Sequence, residues 1–419
     1  MRILFVHQNY PGQYRYLAPA LAARGHEVIA LGIQDNPIAQ QQPGVKVVRY
    51  SFQCTPELIE ARGVHPLLSD TQTKVIRGEA AAQAARQLKA QGFTPDLICA
   101  HPGWGEAMFL KDIWPTARML CYLEFFYGIE GSDIGFDPEF PLSGDAMRMR
   151  TRTKNIFHLI SLEAMDRGVS PTAWQRKQFP GAWQGVIDVI HEGVMTDQIA
   201  PNPDAEFRLG ERGPTLKAGD EVLTFVARNL EPYRGFHIFM RALPEILAMR
   251  PDVQVVIVGG DDVSYGRAPE GGGTWRKKMM DEVGHRLDMR RVHFTGMLPY
   301  GQLIRLFQVS RAHVYLTYPF VLSWSMLEAM SAGVLVIGSR TPPVQEVIEH
   351  GENGLLVDFF DTREIAATTI AALSKPQDYV TLRQRGRQTI VERYDLRTVC
   401  LPKQIALAEE VGGQGEMPS

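Results

Sequence analysis

At 419 residues the chain exceeds what one ordinary hydrophobic core accommodates, so two domains are expected. Forty-four Lys and Arg stand against 47 Asp and Glu, and the net charge of −3 gives no global electrostatic reason to expect nucleic acid. Cys54, Cys99, Cys121 and Cys400 lie far apart and form no CxxC, which excludes a zinc ribbon or a disulfide framework and fits a reducing cytoplasm.

Arg2–Val6 opens the chain as a strand without signal-peptide architecture, and no run reaches the roughly 18 apolar residues of a membrane span. The loop after it, His7 to Gln13, contains Gly12, where backbone can approach a ligand and its N–H groups can hold a phosphate oxygen. One glycine is not GxGxxG, which argues against an ordinary dinucleotide-binding oxidoreductase. A helix over Tyr14–Arg24, strands Glu27–Leu31 and Val45–Tyr50, and a long Ala-rich helix over Thr71–Gln91 follow. Asp96–Ala100 and Arg118–Tyr122 read as buried strands around a helix near Glu106–Asp112, with Cys99 and Cys121 as small core residues.

His101, between Ala100 and Pro102, is a candidate polar group at an interdomain cleft; its alternative role is to cap the next helix. Trp104 either stacks on a ligand or packs. A helix over Gly144–Arg167 carries Arg148, Arg150, Arg152 and Lys154, which meet either solvent or an anionic lipid or membrane surface. Gly168-Val169-Ser170 and Val186–Ile190 close this half.

Residues 196–219, rich in Pro, Asn, Asp and Gly, read as a linker. The pattern restarts with strand Val222–Ala227, helix Phe236–Met249, strand Val253–Val258, helix Trp275–Leu287, strand Arg291–Thr295 and short helix Tyr300–Gln308. Arg228 and Arg234 flank the turn before Phe236, and two guanidiniums beside a helix N-terminus suit a diphosphate. Asp261-Asp262 is either a metal pair or, as adjacent strand-end carboxylates more often are, solvated; Ala268–Gly273 is a flexible loop, gating or plain. Ala312 to Ser339 reads strand, loop, helix, strand, with Glu328 in the helix, facing the crevice outside the strand's carboxyl end or simply complementing the helix dipole. Helices over Thr362–Leu373, Tyr379–Glu392 and Arg397–Val411 end the pattern. Two βα-repeating halves imply two doubly wound sheets.

Several pieces share an order and a spacing: Arg24-Gly25-His26-Glu27-Val28, Val169-Ser170-Pro171, Val189 to Val194, Ala227-Arg228-Asn229-Leu230 with Arg234-Gly235, Val256 to Gly260, Phe294-Thr295-Gly296, Leu327-Glu328-Ala329-Met330 with Gly333, and Glu346 to Val357. Together they resemble the retaining, family-4 type of nucleotide-sugar-dependent glycosyltransferase over nearly the whole chain. The resemblance implies an α/β chain of GT-B fold, two Rossmann-like doubly wound domains facing across a cleft. Residues 1–195 would be the acceptor-side domain, 196–219 the linker and 220–393 the nucleotide-sugar domain. Residues 394–411 would form a helix crossing back to the first domain, and 412–419 a disordered tail.

The resemblance also implies roles. Arg228 and Arg234 would bind the donor diphosphate, Arg234 standing where the family has Lys. Glu328 would accept hydrogen bonds from the ribose hydroxyls, and backbone around Gly296, Met297 and Leu298 would read the base. N–H groups near Ser325, Met326 and Leu327 would meet the phosphates, with Gly12 and Gln13 approaching from the opposite domain. Two positions depart from the family. Phe320 stands where the family has an acid that contacts the transferred sugar, so Ser323 or Trp324 would line that pocket. Glu124 stands where the family often has His; its carboxylate would stabilise developing positive charge, orient sugar hydroxyls, or merely bond to backbone.

The expected chemistry is sugar transfer with retained configuration, without metal or cofactor, from a nucleoside-diphosphate sugar to a sugar, lipid-linked or small-molecule hydroxyl. Glycan or surface-polysaccharide synthesis in the cytoplasm, with peripheral contact at the membrane's inner face, fits this chemistry. A nucleotide-sugar epimerase of similar fold and a catalytically silent nucleotide-binding homologue are the alternatives.

Overall fold

The computed structural model describes residues 1–33, 41–54, 63–141, 144–210 and 213–413. They fall into two compact units, 1–192 with 397–413, and 193–396.

The first unit is built on seven parallel strands: β1 (Arg2–Val6), β2 (Glu27–Gly32), β3 (Val45–Arg49), β4 (Leu97–Ala100), β5 (Arg118–Tyr122), β6 (Arg167–Ser170) and β7 (Ile187–Val189). Their order is β3-β2-β1-β4-β5-β6-β7. Alternation along each strand feeds two cores. Leu4, Val6, Ile98 and Met119 face the helix Ser69–Ala90 through Ala81, Ala85 and Leu88. Ile3, Phe5, Leu97 and Leu120 face Leu17 and Leu21 of helix Leu17–Ala23 and Leu407, Ala408 and Val411 of helix Leu401–Gly413. Parallel strands covered on both faces must be apolar on both, which is why β1, β4 and β5 at the sheet's centre carry no charge in their middles. The small residues of the long helix allow close approach: a Cβ on Gly78 would stand 2.8 Å from the Gly105 carbonyl oxygen.

The second unit repeats the plan with β10 (Val222–Asn229), β11 (Gln254–Gly260), β12 (Val292–Gly296), β13 (Ala312–Tyr315), β14 (Leu335–Ser339) and β15 (Leu355–Val357), in the order β12-β11-β10-β13-β14-β15. Both sheets are α/β and doubly wound, with the strand order reversing beside the first strand.

Four expectations need correction. Residues 196–219 are not a bare linker: β8 (Glu206–Arg208) and β9 (Thr215–Lys217) pair as an antiparallel hairpin. Phe207 and Leu216 pack with Val222, Val256 and Leu306 in the second unit's core. Residues 211–212 of that stretch lie outside the described residues. The helix expected over Gly144–Arg167 is two, Asp145–Lys154 and Ile156–Ala164, broken at Asn155, whose side-chain amide pairs with both backbone groups of Tyr127. The helix expected near Glu106–Asp112 shrinks to Leu110–Ile113. The backbone before it must turn at Gly105, where φ is +103° and a Cβ would stand 2.4 Å from the Lys74 carbonyl oxygen. The C-terminal helix extends to Gly413; of the tail expected to be disordered, 414–419 lie outside the described residues.

Glu106 is fully buried beside that turn. Its Oε1 accepts a 2.7 Å hydrogen bond from the Tyr50 hydroxyl, and its Oε2 has no hydrogen-bond partner among the described residues. Burial pushes its carboxyl above the ordinary value, against the pull of Tyr50 and of Arg77. A carboxyl whose folded value is raised contributes its stability below the ordinary carboxylate range and loses it as pH rises through the raised value. Glu106→Gln keeps the acceptor for Tyr50 and removes the titration. Its melting temperature relative to wild type should therefore climb from pH 5 to pH 8, by about 2–4 °C for each kcal/mol relieved. A difference that does not change with pH would remove Glu106 as the source.

Candidate functional site

In the second unit the strand order reverses between β10 and β13, so the crevice beyond their carboxyl ends is open to a ligand. β10 ends at Asn229 and runs into the short turn Pro232–Arg234 and then the helix Phe236–Met249. Gly235 makes this passage at φ +68°, and a Cβ there would meet the Leu316 side chain at 2.4 Å. Only glycine satisfies both demands at once.

The two arginines expected here differ in kind. Arg228 is exposed and carries no ion pair among the described residues. Arg234 is 6% exposed, and its Nη1 donates to Thr317 Oγ1 and the Val321 carbonyl at 2.9 Å and to the Tyr315 hydroxyl at 3.3 Å. Its guanidinium lies 5.3 Å from the centre of the Tyr265 ring and 5.9 Å from that of Phe320. Burial works against its charge, but Tyr315, Tyr265 and Glu231 outweigh that and hold it as a cation.

Glu231, which the sequence did not single out, organises this corner. It is fully buried and accepts backbone N–H groups from Ser264 and Tyr265 at 3.2 Å and from Gly266 at 2.9 Å. Asn229 adds a 2.7 Å bond from Nδ2 to Ser264 Oγ. The segment after β11 is thereby strapped to the end of β10, with the Tyr265 ring against Arg234. Asp261 is engaged by Arg276 at 2.5 Å, and no group of three metal-ligating side chains occurs among the described residues.

After β13 the chain passes Phe320, which packs on Tyr265 (5.0 Å between ring centres) and Tyr233 (5.5 Å). Ser323 caps the helix Trp324–Ser331: its Oγ accepts from the Ser325 N–H, and its own N–H donates to the Tyr315 hydroxyl at 2.8 Å. Ser325, Met326 and Leu327 are buried in the first turns, whereas Trp324 is exposed. Glu328 is 6% exposed, and its Oε1 accepts a 2.7 Å hydrogen bond from the Tyr300 hydroxyl. Burial pushes its carboxyl up and Tyr300 pulls it down. That bond draws in the turn after β12, where Gly296 has φ +67°, Met297 is exposed and Leu298 leans on the core. Tyr300, absent from the sequence reading, thus ties the helix after this turn to Glu328.

In the first unit the reversal lies between β1 and β4, and five expected residues, Gly12, Gln13, His101, Trp104 and Glu124, come together there. Gln13 Nε2 donates to Glu124 Oε1 at 3.2 Å, and His101 Nε2 lies 3.5 Å from Glu124 Oε2. His101 Nδ1 accepts the Gly103 N–H at 3.1 Å, which places the proton of the neutral ring on Nε2. The ring stacks on Tyr122 and Trp104, and its Nδ1 caps the short turn Pro102–Trp104, the capping role expected of it. His7, which the sequence passed over, lies 5.2 Å from His101 between ring centres, and a Cβ on Gly12 would stand 2.7 Å from its ring. Burial foremost, and His101 next, push His7 down to about 3, against a hydrogen bond from Gln13. A neutral imidazole therefore underlies the loop at physiological pH.

Two family models match the chain: "Glycosyl transferase family 4 group" over residues 24–199 and "Glycosyl transferases group 1" over residues 210–389. A GDP-mannose-dependent alpha-(1-6)-phosphatidylinositol monomannoside mannosyltransferase of Mycolicibacterium smegmatis is 24% identical over 329 residues, 75% of this chain and 76% of that protein. A D-inositol 3-phosphate glycosyltransferase of Corynebacterium jeikeium is 27% identical over 43% of this chain and 42% of its own length. Among solved structures, a sucrose-phosphate synthase from Thermosynechococcus elongatus aligns with a TM-score of 0.73 at 18% identity, covering 99% of this chain and all (100%) of that one. HepE of Anabaena, solved with UDP-glucose, aligns with a TM-score of 0.68 at 17% identity over 98% of this chain and 99% of that one.

The Glu231 strap has a local signature. Glu231→Gln exchanges a charged acceptor for a neutral one facing three N–H groups and should cost about 1–3 kcal/mol. Hydrogen exchange at residues 264–266 should accelerate selectively. Unchanged protection there, in a folded variant, would show that the carboxylate does not hold the segment.

Proposed function

The chain belongs to the family-4 glycosyltransferases of GT-B fold, and on that premise we propose that it moves a sugar from a nucleoside-diphosphate sugar to a hydroxyl acceptor with retention of configuration. The observation that carries the reading is Glu328: a nearly buried carboxylate in the helix after β13, bonded through Tyr300 to the turn after β12. A buried carboxylate is costly without hydrogen-bond donors, and ribose hydroxyls supply them. Exposed Arg228 and the N–H groups of the capped helix Trp324–Ser331 supply positive charge for a diphosphate, with Arg234 behind them.

In this reading the bond between the anomeric carbon and the diphosphate oxygen breaks first. The cations and helix N–H groups stabilise the charge left on that oxygen. The acceptor hydroxyl attacks from the face the diphosphate leaves, and its proton passes to the departing phosphate. Neither a protein base nor a metal ion is assigned a step. In the first unit, Glu124, held by Gln13 and beside His101, offers a carboxylate to sugar hydroxyls or to the developing positive charge. With Phe320 in place of an acid, the wall for the transferred sugar falls to Ser323 and Trp324, so the donor sugar differs from what the family pattern suggests.

The named relatives use phosphatidylinositol-linked or inositol-phosphate acceptors. For this chain we keep the broader class of sugar, lipid-linked or small-molecule hydroxyls, in glycan or surface-polysaccharide synthesis on the cytoplasmic side of the membrane. Among the described residues no helix is long and apolar enough to cross a membrane.

A melting-temperature panel with UDP, GDP, ADP, dTDP and CMP on wild type and Glu328→Ala tests the site. One nucleotide should stabilise wild type, by about 2.7 kcal/mol at a hundredfold excess over its Kd. The shift should collapse in the variant. A sugar change that proceeds without acceptor would favour an epimerase, and binding without turnover a silent homologue. No response to any nucleotide would overturn the donor site itself.

A further inference from the structure

Tyr300 stands at the first position of the helix Tyr300–Val309, just past the turn at Gly296, and is 43% exposed. Its hydroxyl donates a 2.7 Å hydrogen bond to Oε1 of Glu328. The two residues lie 28 apart, in helices that follow different strands, so no local regularity produces the contact. Among the described residues Tyr300 is the one side chain hydrogen-bonded to this carboxylate, and it uses Oε1, not Oε2. One oxygen is therefore fixed by the protein and one is left for something else.

We propose that Tyr300 is a positioning residue for the donor nucleotide: its phenol fixes the rotamer of Glu328 and leaves Oε2 as the acceptor for a ribose hydroxyl. The inference rests on the reading that Glu328 meets the ribose. A carboxylate held at one oxygen presents the other in a set place, whereas an unheld one samples several. The bond also helps keep the buried group ionised, because burial favours the proton and the phenol opposes it. Few other charges bear on it. Arg305 shares the helix with Tyr300. Arg383 and Arg387, from the helix Val380–Tyr394, are directed to the backbone oxygens of Gly333 and Ser331, beyond the far end of the Glu328 helix.

The test compares wild type, Tyr300→Phe, Glu328→Gln and the double variant, using whichever of UDP, GDP or ADP binds wild type and its 2′-deoxy analogue. Tyr300→Phe keeps the ring and should melt with wild type. It should bind the ribonucleotide about tenfold more weakly. Without the phenol, Glu328 takes up its proton at higher pH, so the acid-side loss of affinity should move upward in pH. The preference for ribo- over deoxyribonucleotide should shrink, and the double variant should bind no worse than Glu328→Gln. Unchanged affinity, or weakened affinity with the acid limb unmoved, overturns the proposal. Wild-type affinity in Glu328→Gln overturns the ribose reading beneath it, and that failure is distinct because it appears in a variant with Tyr300 intact.

Discussion

Parallel pairing is the constraint from which the rest of this structure follows. Every connection between parallel strands must cross a face of the sheet, and right-handed crossings send the helix after β10 to one face and the helix after β13 to the other. Between the two departures the strand ends are left uncovered. Turns starting there expose N–H groups and need residues of unusual backbone freedom, which is why Gly235 is required where it is. The same geometry recurs in the first unit between β1 and β4, with Gly12 and His101 at the opening.

An opening of this kind gathers charge where water is scarce, and each buried ion has a different solution. Arg234 is kept charged by hydroxyl and carbonyl acceptors, by the faces of two aromatic rings and by the more distant Glu231, with no carboxylate bonded to it among the described residues. Glu231 is matched by three backbone donors from one short segment and by the more distant charge of Arg234. Glu328 has one donor, Tyr300, and an uncommitted oxygen. The protein-satisfied groups hold the frame, while the incompletely satisfied one has capacity left for a ligand.

What the sequence made legible follows from range. Strand alternation, helix periodicity and the placing of Arg228, Arg234 and Glu328 at strand ends depend on neighbours a few residues away, and the strands emerge close to where the pattern puts them. Glu231 and Tyr300 escaped because their partners lie 33 to 35 and 28 residues distant, in segments that only the sheet order brings alongside. The break at Asn155 was hidden for the same reason, since its cause is the backbone of Tyr127. The hairpin β8–β9 was hidden by composition: Pro, Gly, Asn and Asp dominate the sequence around it, and Phe207, Leu209 and Leu216 are the few large apolar residues that enter the core. His7 read as one more loop residue because its packing against Gly12 and His101 depends on tertiary contact.

Phe320 changes the balance of the second unit's opening more than its size suggests. An acid at this position, so close to Arg234, would be drawn to the guanidinium and would compete with a diphosphate for it. Phenylalanine instead closes a ring contact with Tyr233 and Tyr265 and presents its face to the cation. The cationic side of the crevice is thus left less compensated, which favours an anionic ligand, while a hydrogen-bond acceptor for sugar hydroxyls is lost. In the first unit a carboxylate appears at Glu124, held by Gln13, where the family pattern often has an imidazole. The two substitutions act in opposite directions, removing an acid from one strand-end opening and adding one to the other. Each is held by its own unit: Glu124 by the Gln13 amide, and Phe320 by the rings of Tyr233 and Tyr265.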